Sequence, residues 1–222
     1  MKELSRGVYR WTTPHPEYRT NAEEVACYAL TAAEGLALVD PLLPQGPAGV
    51  ALLDQLDVLA QAAPRVDLLV TIPYHTRSAE RLWWRWNETV ETHIWGHPGV
   101  RKRFADPGTQ LETIDVGAPL GPLARAFAIG KPRRSETPLY FPAHRALAFG
   151  DAVVGMPDGS LRVWVQGRVE PVWYGERFLP TLQPLTALDI ADVLVTHGPA
   201  VIGGGRRALR LALEAPPVTR YW

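Results

Sequence analysis

Residues 67–77 read Asp-Leu-Leu-Val-Thr-Ile-Pro-Tyr-His-Thr-Arg, an apolar run that leads into a short polar stretch. Such a run is typical of a strand that is buried on both faces of a sheet. It returns nearly unchanged at residues 192–196, where Asp-Val-Leu-Val-Thr is followed by His197. A predicted helix precedes each copy and a turn follows it. This pattern indicates sheets with helices outside and two roughly related halves, with a site where the strand ends meet.

Strands and helices alternate along the rest of the chain. Apolar alternation and turn residues predict strands at 8–11, 24–30, 36–40, 92–95, 111–115, 125–129, 137–141 and 146–149. Apolar residues at one-face spacing predict helices at 52–63, 79–86, 182–190 and 206–214. Ser78 is placed to cap the second helix, and Gly203-Gly204-Gly205 predicts a tight turn before the last one.

Composition excludes several classes of protein. The 222 residues are 46% hydrophobic and 21% charged, which predicts one globular domain spanning 1–222. Lys plus Arg and Asp plus Glu balance at 23 each, so no global field favours nucleic acid or an anionic membrane. The start of the chain lacks a secretory pattern and no apolar run could span a bilayer, so we expect a cytoplasmic protein. The single cysteine, Cys27, excludes an internal disulfide and a cysteine-rich zinc site.

The order of these elements, with ALAFGDAVVG at 146–155 and LVTHGPAVIGGG at 194–205, resembles the metallo-β-lactamase superfamily. The resemblance covers nearly the whole chain. It implies an α+β fold, a four-layer αββα sandwich. It also implies a site in which Thr-His-x-His-x-Asp-His, Pro-Gly-His, Gly-Asp and His-Gly motifs bind two metal ions, commonly zinc, that activate a water for hydrolysis.

The motifs of this superfamily match the chain unevenly. Gly150-Asp151 matches the Gly-Asp whose carboxylate bridges the metals, and His197-Gly198 matches the last histidine. The third-histidine position falls on Pro132, and His75 falls on a position that is not a ligand. In the first motif Thr71 is kept, whereas the ligand positions carry Ile72, Tyr74, Thr76 and Arg77.

The loss of these ligands predicts that the dinuclear centre is absent. A catalytic zinc needs about three protein ligands and an open position for water. Only Asp151 and His197 remain in register, and Arg77 would repel a cation. A buried Asp151 needs a positive partner. We therefore expect Arg77 to pair with Asp151, with His197 or His75 adding a hydrogen bond; the alternative is an Arg77 that points to solvent.

Two functions remain open at this point. The first is a metal-free member without the usual hydrolase activity, which binds a small molecule or a protein; its vestigial site is lined by Ile72, Tyr74, His75, Thr76, Arg77, Pro132, Asp151 and His197. The second is a hydrolase with a rebuilt mononuclear site, in which His75, Asp151 and His197 hold one zinc, iron or manganese ion. A nucleophilic Ser78 beside His75 lacks a third orienting group. The aromatic and polar segments 12–21 and 164–178 are candidate walls of a small-molecule pocket. The sequence does not specify an oligomeric state.

Overall fold

A seven-stranded sheet contains most of the first half of the chain in the computed structural model, which describes residues 1–15, 24–165 and 170–219. Its strands follow one another in chain order: β1 (Lys2–Ser5), β2 (Val8–Pro14), β3 (Glu24–Ala32), β4 (Gly35–Val39), β5 (Arg65–Val70), β6 (Glu91–Gly96) and β7 (Glu112–Thr113). Strands β1 to β4 are antiparallel, whereas β4 to β7 are parallel. The carboxyl ends of β4, β5 and β6 therefore meet at one edge of the sheet.

A second sheet is built from the later part of the chain. The remaining strands are β8 (Pro119–Leu120), β9 (Ala124–Ala126), β10 (Leu139–Phe141), β11 (Ala146–Phe149), β12 (Val153–Gly155), β13 (Leu161–Val163) and β14 (Asp192–Val195). Five of them form a sheet in the order β14-β11-β10-β9-β8, and β12 pairs with β13 separately. Strand β14 runs parallel to β11, so these two strands also end at the same edge.

Helices cover the outer faces of both sheets. They are α1 (Pro47–Ala62), α2 (Ala79–Trp86), α3 (Pro171–Trp173), α4 (Leu179–Leu182) and α5 (Gly205–Glu214). Helices α1 and α2 connect the parallel strands β4, β5 and β6, as a crossover between parallel strands requires. No helix among the described residues is long and apolar enough to cross a membrane.

The alternation of side chains along each strand produces three apolar layers. In β4, Leu36 and Leu38 pack with α1 and α2, whereas Ala37 and Val39 pack between the two sheets. In β11, Ala146 and Ala148 face the first sheet, and Leu147 and Phe149 pack with α4 and α5. The order of layers is helix, sheet, sheet, helix, which confirms the αββα sandwich.

Most predicted elements are present, with differences where proline interrupts the pattern. In place of the helix predicted at 182–190, α4 ends at Leu182 and a 3₁₀ segment follows at Gln183–Ala187, since Pro184 prevents one continuous helix. The segment 164–178, predicted as connecting chain, contains α3 and a π-helical turn at Tyr174–Phe178. Of the loop predicted at 12–21, residues 12–14 belong to β2 and residues 16–21 lie outside the described residues.

Candidate functional site

Asp40 joins three strand ends at the edge between the two sheets. It follows β4 directly, is 1% exposed, and has a φ of 48° in the left-handed region. Its carboxylate accepts hydrogen bonds from the Thr71 amide at 2.8 Å and the Thr71 hydroxyl at 2.6 Å. The Thr196 hydroxyl donates to Asp40 Oδ2 over 3.4 Å. Asp40 therefore holds the end of β5 firmly and makes only a long contact with the end of β14.

Asp40 also orients His75, which lies in the 3₁₀ turn Pro73–Thr76 after β5. Nδ1 of His75 is 2.9 Å from Asp40 Oδ2, so the opposite nitrogen, Nε2, faces Asp151 Oδ1 at 3.4 Å. A proton on Nδ1 leaves Nε2 as a ligand atom. Burial and the charge of Arg77 lower the pKa of His75, but the carboxylates of Asp40 and Asp151 outweigh them and the net shift is upward.

Asp151 and His197 complete a cluster with His75. Asp151 follows β11 by one glycine, and His197 follows β14 by one threonine. His197 Nε2 lies 3.3 Å from Asp151 Oδ1, the same oxygen that faces His75. Burial raises the pKa of the Asp151 carboxyl, but His75 and His197 outweigh burial and hold this pKa well below its usual range.

The cluster has the dimensions of a site for one metal ion. Its three ligand atoms all lie within 4.8 Å of one another. Ligand atoms about 2.0 to 2.1 Å from a tetrahedral zinc are about 3.3 Å apart, which is close to the spacing of both histidines from Asp151 Oδ1. The contacts are long for charge-assisted hydrogen bonds. Among the described residues, no donor makes a well-formed hydrogen bond to the buried Oδ1. The residues present therefore fit a divalent metal.

The segment 133–136 holds Asp151 from the other side. Arg133 Nη1 donates to Asp151 Oδ2 at 3.0 Å, and its guanidinium lies 4.6 Å from the centre of the Trp164 ring. Glu136 Oε1 accepts hydrogen bonds from the Gly150 and Ala152 amides at 3.0 Å each. Burial, together with the nearby Asp151 charge, raises the pKa of Glu136 to about 7. One carboxylate oxygen of Asp151 thus faces the histidines and the other faces a fixed positive charge.

The expected pairing of Arg77 with Asp151 is wrong. Arg77 has a φ of 42°, and its Nη1 donates to the backbone carbonyl of Asp40 at 2.9 Å and contacts Cys27 Sγ at 3.8 Å. Among the described residues, no ion pair joins it to Asp151. The sharp turn of the backbone directs this side chain toward the end of β4. The positive partner that Asp151 needs is Arg133.

The other residues expected at the site are divided between the interior and the surface. Ile72 and Thr76 are buried, whereas Tyr74 is 69% exposed beneath the guanidinium of Arg103 and Pro132 is also exposed. Ser78 lies at the predicted N-cap position of α2, but its hydroxyl accepts from the Leu43 amide at 3.0 Å and makes no capping hydrogen bond to the described start of this helix. Gly203 and Gly204 have φ of 72° and 76° and form the predicted turn before α5.

Sequence reasoning missed Asp40, Arg133 and Glu136. Asp40 ends a predicted strand that could be placed beside the strand at 67–72, and the carboxyl ends of neighbouring parallel strands meet. That signal is sufficient to find it. Arg133 is one residue beyond Pro132, on which the count from Asp151 falls. Glu136 has no signal, because its role depends on backbone amides that come near it only in the folded chain.

Solved structures with the same fold are numerous, although their sequences are distant. No protein-family model matches the chain, and no curated protein matches it in sequence. A metallo-β-lactamase family protein from Thermus thermophilus is 20% identical, with 96% of this chain and 80% of that chain covered and a TM-score of 0.61. A metallo-β-lactamase from Erythrobacter litoralis is 16% identical, with 96% and 93% covered and a TM-score of 0.65. A metallo-β-lactamase from Pontibacter korlensis is 13% identical, with 97% and 98% covered and a TM-score of 0.64. The chain has the metallo-β-lactamase fold.

Proposed function

We propose that this protein of the metallo-β-lactamase fold is a hydrolase that uses one divalent metal ion, with zinc as the first candidate. His75 Nε2, Asp151 Oδ1 and His197 Nε2 would hold the ion. The observation that carries the proposal is the convergence of both histidines on one buried carboxylate oxygen that receives no well-formed hydrogen bond from any described residue. Arg133 pairs with the other oxygen, Oδ2, and leaves Oδ1 as a buried acceptor that a cation between the histidines would satisfy.

Each surrounding residue has a role in this proposal. A zinc ion with three protein ligands supplies Lewis acidity and an activated water near neutral pH. Asp40 fixes the His75 ring through Nδ1, and such a carboxylate partner typically raises metal affinity about 10-fold to 100-fold. Glu136 holds the amides on both sides of Asp151, which fixes the direction of its carboxylate. Arg133 takes Oδ2, so that only one oxygen of Asp151 remains for a metal.

Metal analysis of the purified protein tests this function. After growth with zinc, iron and manganese supplied, we expect about one metal ion per chain, since three ligands and an open position form one catalytic site. His197→Ala and Asp151→Asn should lose the ion. His93→Ala is the matched control, because His93 lies in β6 and contacts the carboxylates of Glu91 and Glu112, away from the cluster. Activity on a panel of ester and amide substrates should follow metal content across the four proteins. A wild-type protein that contains no metal after growth with zinc, iron and manganese would overturn the proposal.

A second function is favoured by one specific contact. The Arg133 guanidinium neutralises Asp151 at 3.0 Å without any metal. This ion pair supports a metal-free module that binds a small molecule and lacks hydrolase activity. The same measurement separates the two functions: an empty site in a stably folded wild type favours the module, and one bound ion favours the hydrolase.

A further inference from the structure

Arg133 is fixed in position more firmly than an ion pair with Asp151 alone would require. The residue is 8% exposed, and one nitrogen, Nη1, is used by Asp151 Oδ2. The flat face of its guanidinium lies on Trp164, whose ring is edge-on to His197 with 5.6 Å between centroids. Stacking on an aromatic ring and a charge-assisted hydrogen bond together restrict both the position and the tilt of the guanidinium. Its remaining nitrogens therefore have a defined direction.

Two of those nitrogens, Nε and Nη2, are buried and have no acceptor among the described residues. They form one edge of the guanidinium, where two parallel N–H groups match the two oxygens of a carboxylate or phosphate. A buried donor without an acceptor costs free energy, and here two adjacent donors of a charged group have none. This fork-shaped edge is the part of Arg133 that an ion pair with Asp151 leaves unused.

The described part of the chain supplies no anion to this edge. Glu136 lies on the same segment, but it makes no ion pair with Arg133 within 4.0 Å, and its Oε1 is used by two backbone amides. Its other oxygen, Oε2, is also buried without a donor among the described residues. A water between Glu136 Oε2 and the Arg133 edge is the competing explanation.

We infer that the Nε and Nη2 edge of Arg133 binds an oxyanion group of the substrate, a carboxylate or a phosphate. The reaction of the bound substrate rests on the proposed function, whereas the binding of the anion to Arg133 does not. Because the same guanidinium holds Asp151 through Nη1, the bound anion would lie next to the candidate metal ligands. The substrate is then a small anionic molecule whose charged group is fixed by Arg133 while its scissile bond faces the cluster of His75, Asp151 and His197.

Anion binding is measured on protein from which metal has been removed, so that binding to Arg133 is tested independently of any bound metal ion. Inorganic phosphate and succinate are titrated at constant ionic strength, and the Nε–H resonance of Arg133 is followed by ¹⁵N NMR together with calorimetric Kd values. Arg133→Lys keeps a positive charge opposite Asp151 but has no fork, and its spectrum assigns the resonance. We expect a saturable shift in wild type and binding about tenfold weaker or more in Arg133→Lys and Arg133→Gln, because charged hydrogen bonds are lost. Arg207→Gln, which removes an exposed arginine on α5, should bind as wild type does.

The outcomes separate the two proposals. Preference for succinate or for phosphate identifies the anion. Equal affinity in wild type and Arg133→Lys overturns the inference. So does an Arg133 Nε–H resonance that responds to Glu136→Gln but not to either anion, since the edge would then be satisfied within the protein. Zinc content measured on the same preparations before stripping reports on the proposed function alone. Anion binding by a wild type that never holds zinc would reject the zinc hydrolase and keep the anion site.

Discussion

Strands β5 and β14 carry nearly the same sequence, and they reach the candidate site in different ways. Strand β5 lies inside the seven-stranded sheet between β4 and β6, whereas β14 is the edge strand of the second sheet. The end of β14 is held by β3: Tyr28 Oη donates to the Val195 carbonyl at 2.7 Å and accepts from its amide at 3.1 Å, and the Ala26 amide donates to the Thr196 carbonyl at 2.8 Å. The end of β5 is held by the Asp40 carboxylate.

This difference explains how each half presents its histidine. His197 comes directly after Thr196, so the strand itself determines its position. His75 comes four residues after Thr71, within a short turn, and depends on Asp40 for its orientation. A strand end is therefore enough to place one ligand, whereas the other needs a buried carboxylate as support. Changes at Asp40, Tyr28 and the two threonines test this contrast.

The largest effect is expected for Asp40→Ala. The substitution leaves the Thr71 amide and hydroxyl and His75 Nδ1 without their acceptor and puts alanine at a φ of 48°. We expect the free energy of unfolding to fall by about 3 to 5 kcal/mol, as for loss of one partner in a buried charged network. Urea denaturation of metal-free protein measures it. Asp40→Asn keeps the shape and tolerates positive φ, so its loss should be smaller. Wild-type stability of Asp40→Ala would show that β5 does not need the carboxylate.

The sequence predicts the strands that surround this site better than the contacts within it. The runs at 36–40 and 67–72 are recognisable because burial on both faces makes nearly every residue apolar. The prediction for Arg77 is wrong because its direction depends on one local backbone angle, which no pattern of residue types specifies. The sequence predicts a loop at His75, but the orientation of this histidine depends on Asp40, which is 35 residues away in sequence.

A smaller effect is expected for Tyr28→Phe, which tests how the end of β14 is held. Tyr28 is 2% exposed, and burial raises the pKa of its phenol to about 12, so the hydroxyl remains a neutral donor and acceptor. Its removal leaves the amide and carbonyl of Val195 without this partner. We expect the free energy of unfolding to fall by about 1 to 3 kcal/mol. Amide hydrogen exchange should rise at Val195 but not at Leu69 in β5. Equal exchange at both strands would mean that the two halves open together.

The smallest effect is expected for Thr196→Val, which is paired with Thr71→Val to compare the two copies of the repeat at the same position. The Thr71 hydroxyl donates to Asp40 Oδ2 at 2.6 Å, whereas the Thr196 hydroxyl is 3.4 Å from the same oxygen. A short bond to a carboxylate contributes about 1.5 to 3 kcal/mol, so Thr71→Val should lower the free energy of unfolding by about that amount.

A hydrogen bond from a hydroxyl is weak at 3.4 Å, so Thr196→Val should lower the free energy of unfolding by less than about 0.5 kcal/mol. Urea denaturation of the two variants, purified and measured under the same conditions, compares them directly. Valine has the same branched shape as threonine. A difference in stability loss between the two variants therefore reports the lost hydroxyl and not a change in packing. Equal losses would mean that Asp40 supports both strand ends alike and that β14 depends on more than its bonds to β3. We expect zinc content to fall in Thr71→Val alone, because the orientation of His75 depends on the Asp40 oxygen that Thr71 holds. A fall in both variants would contradict this expectation.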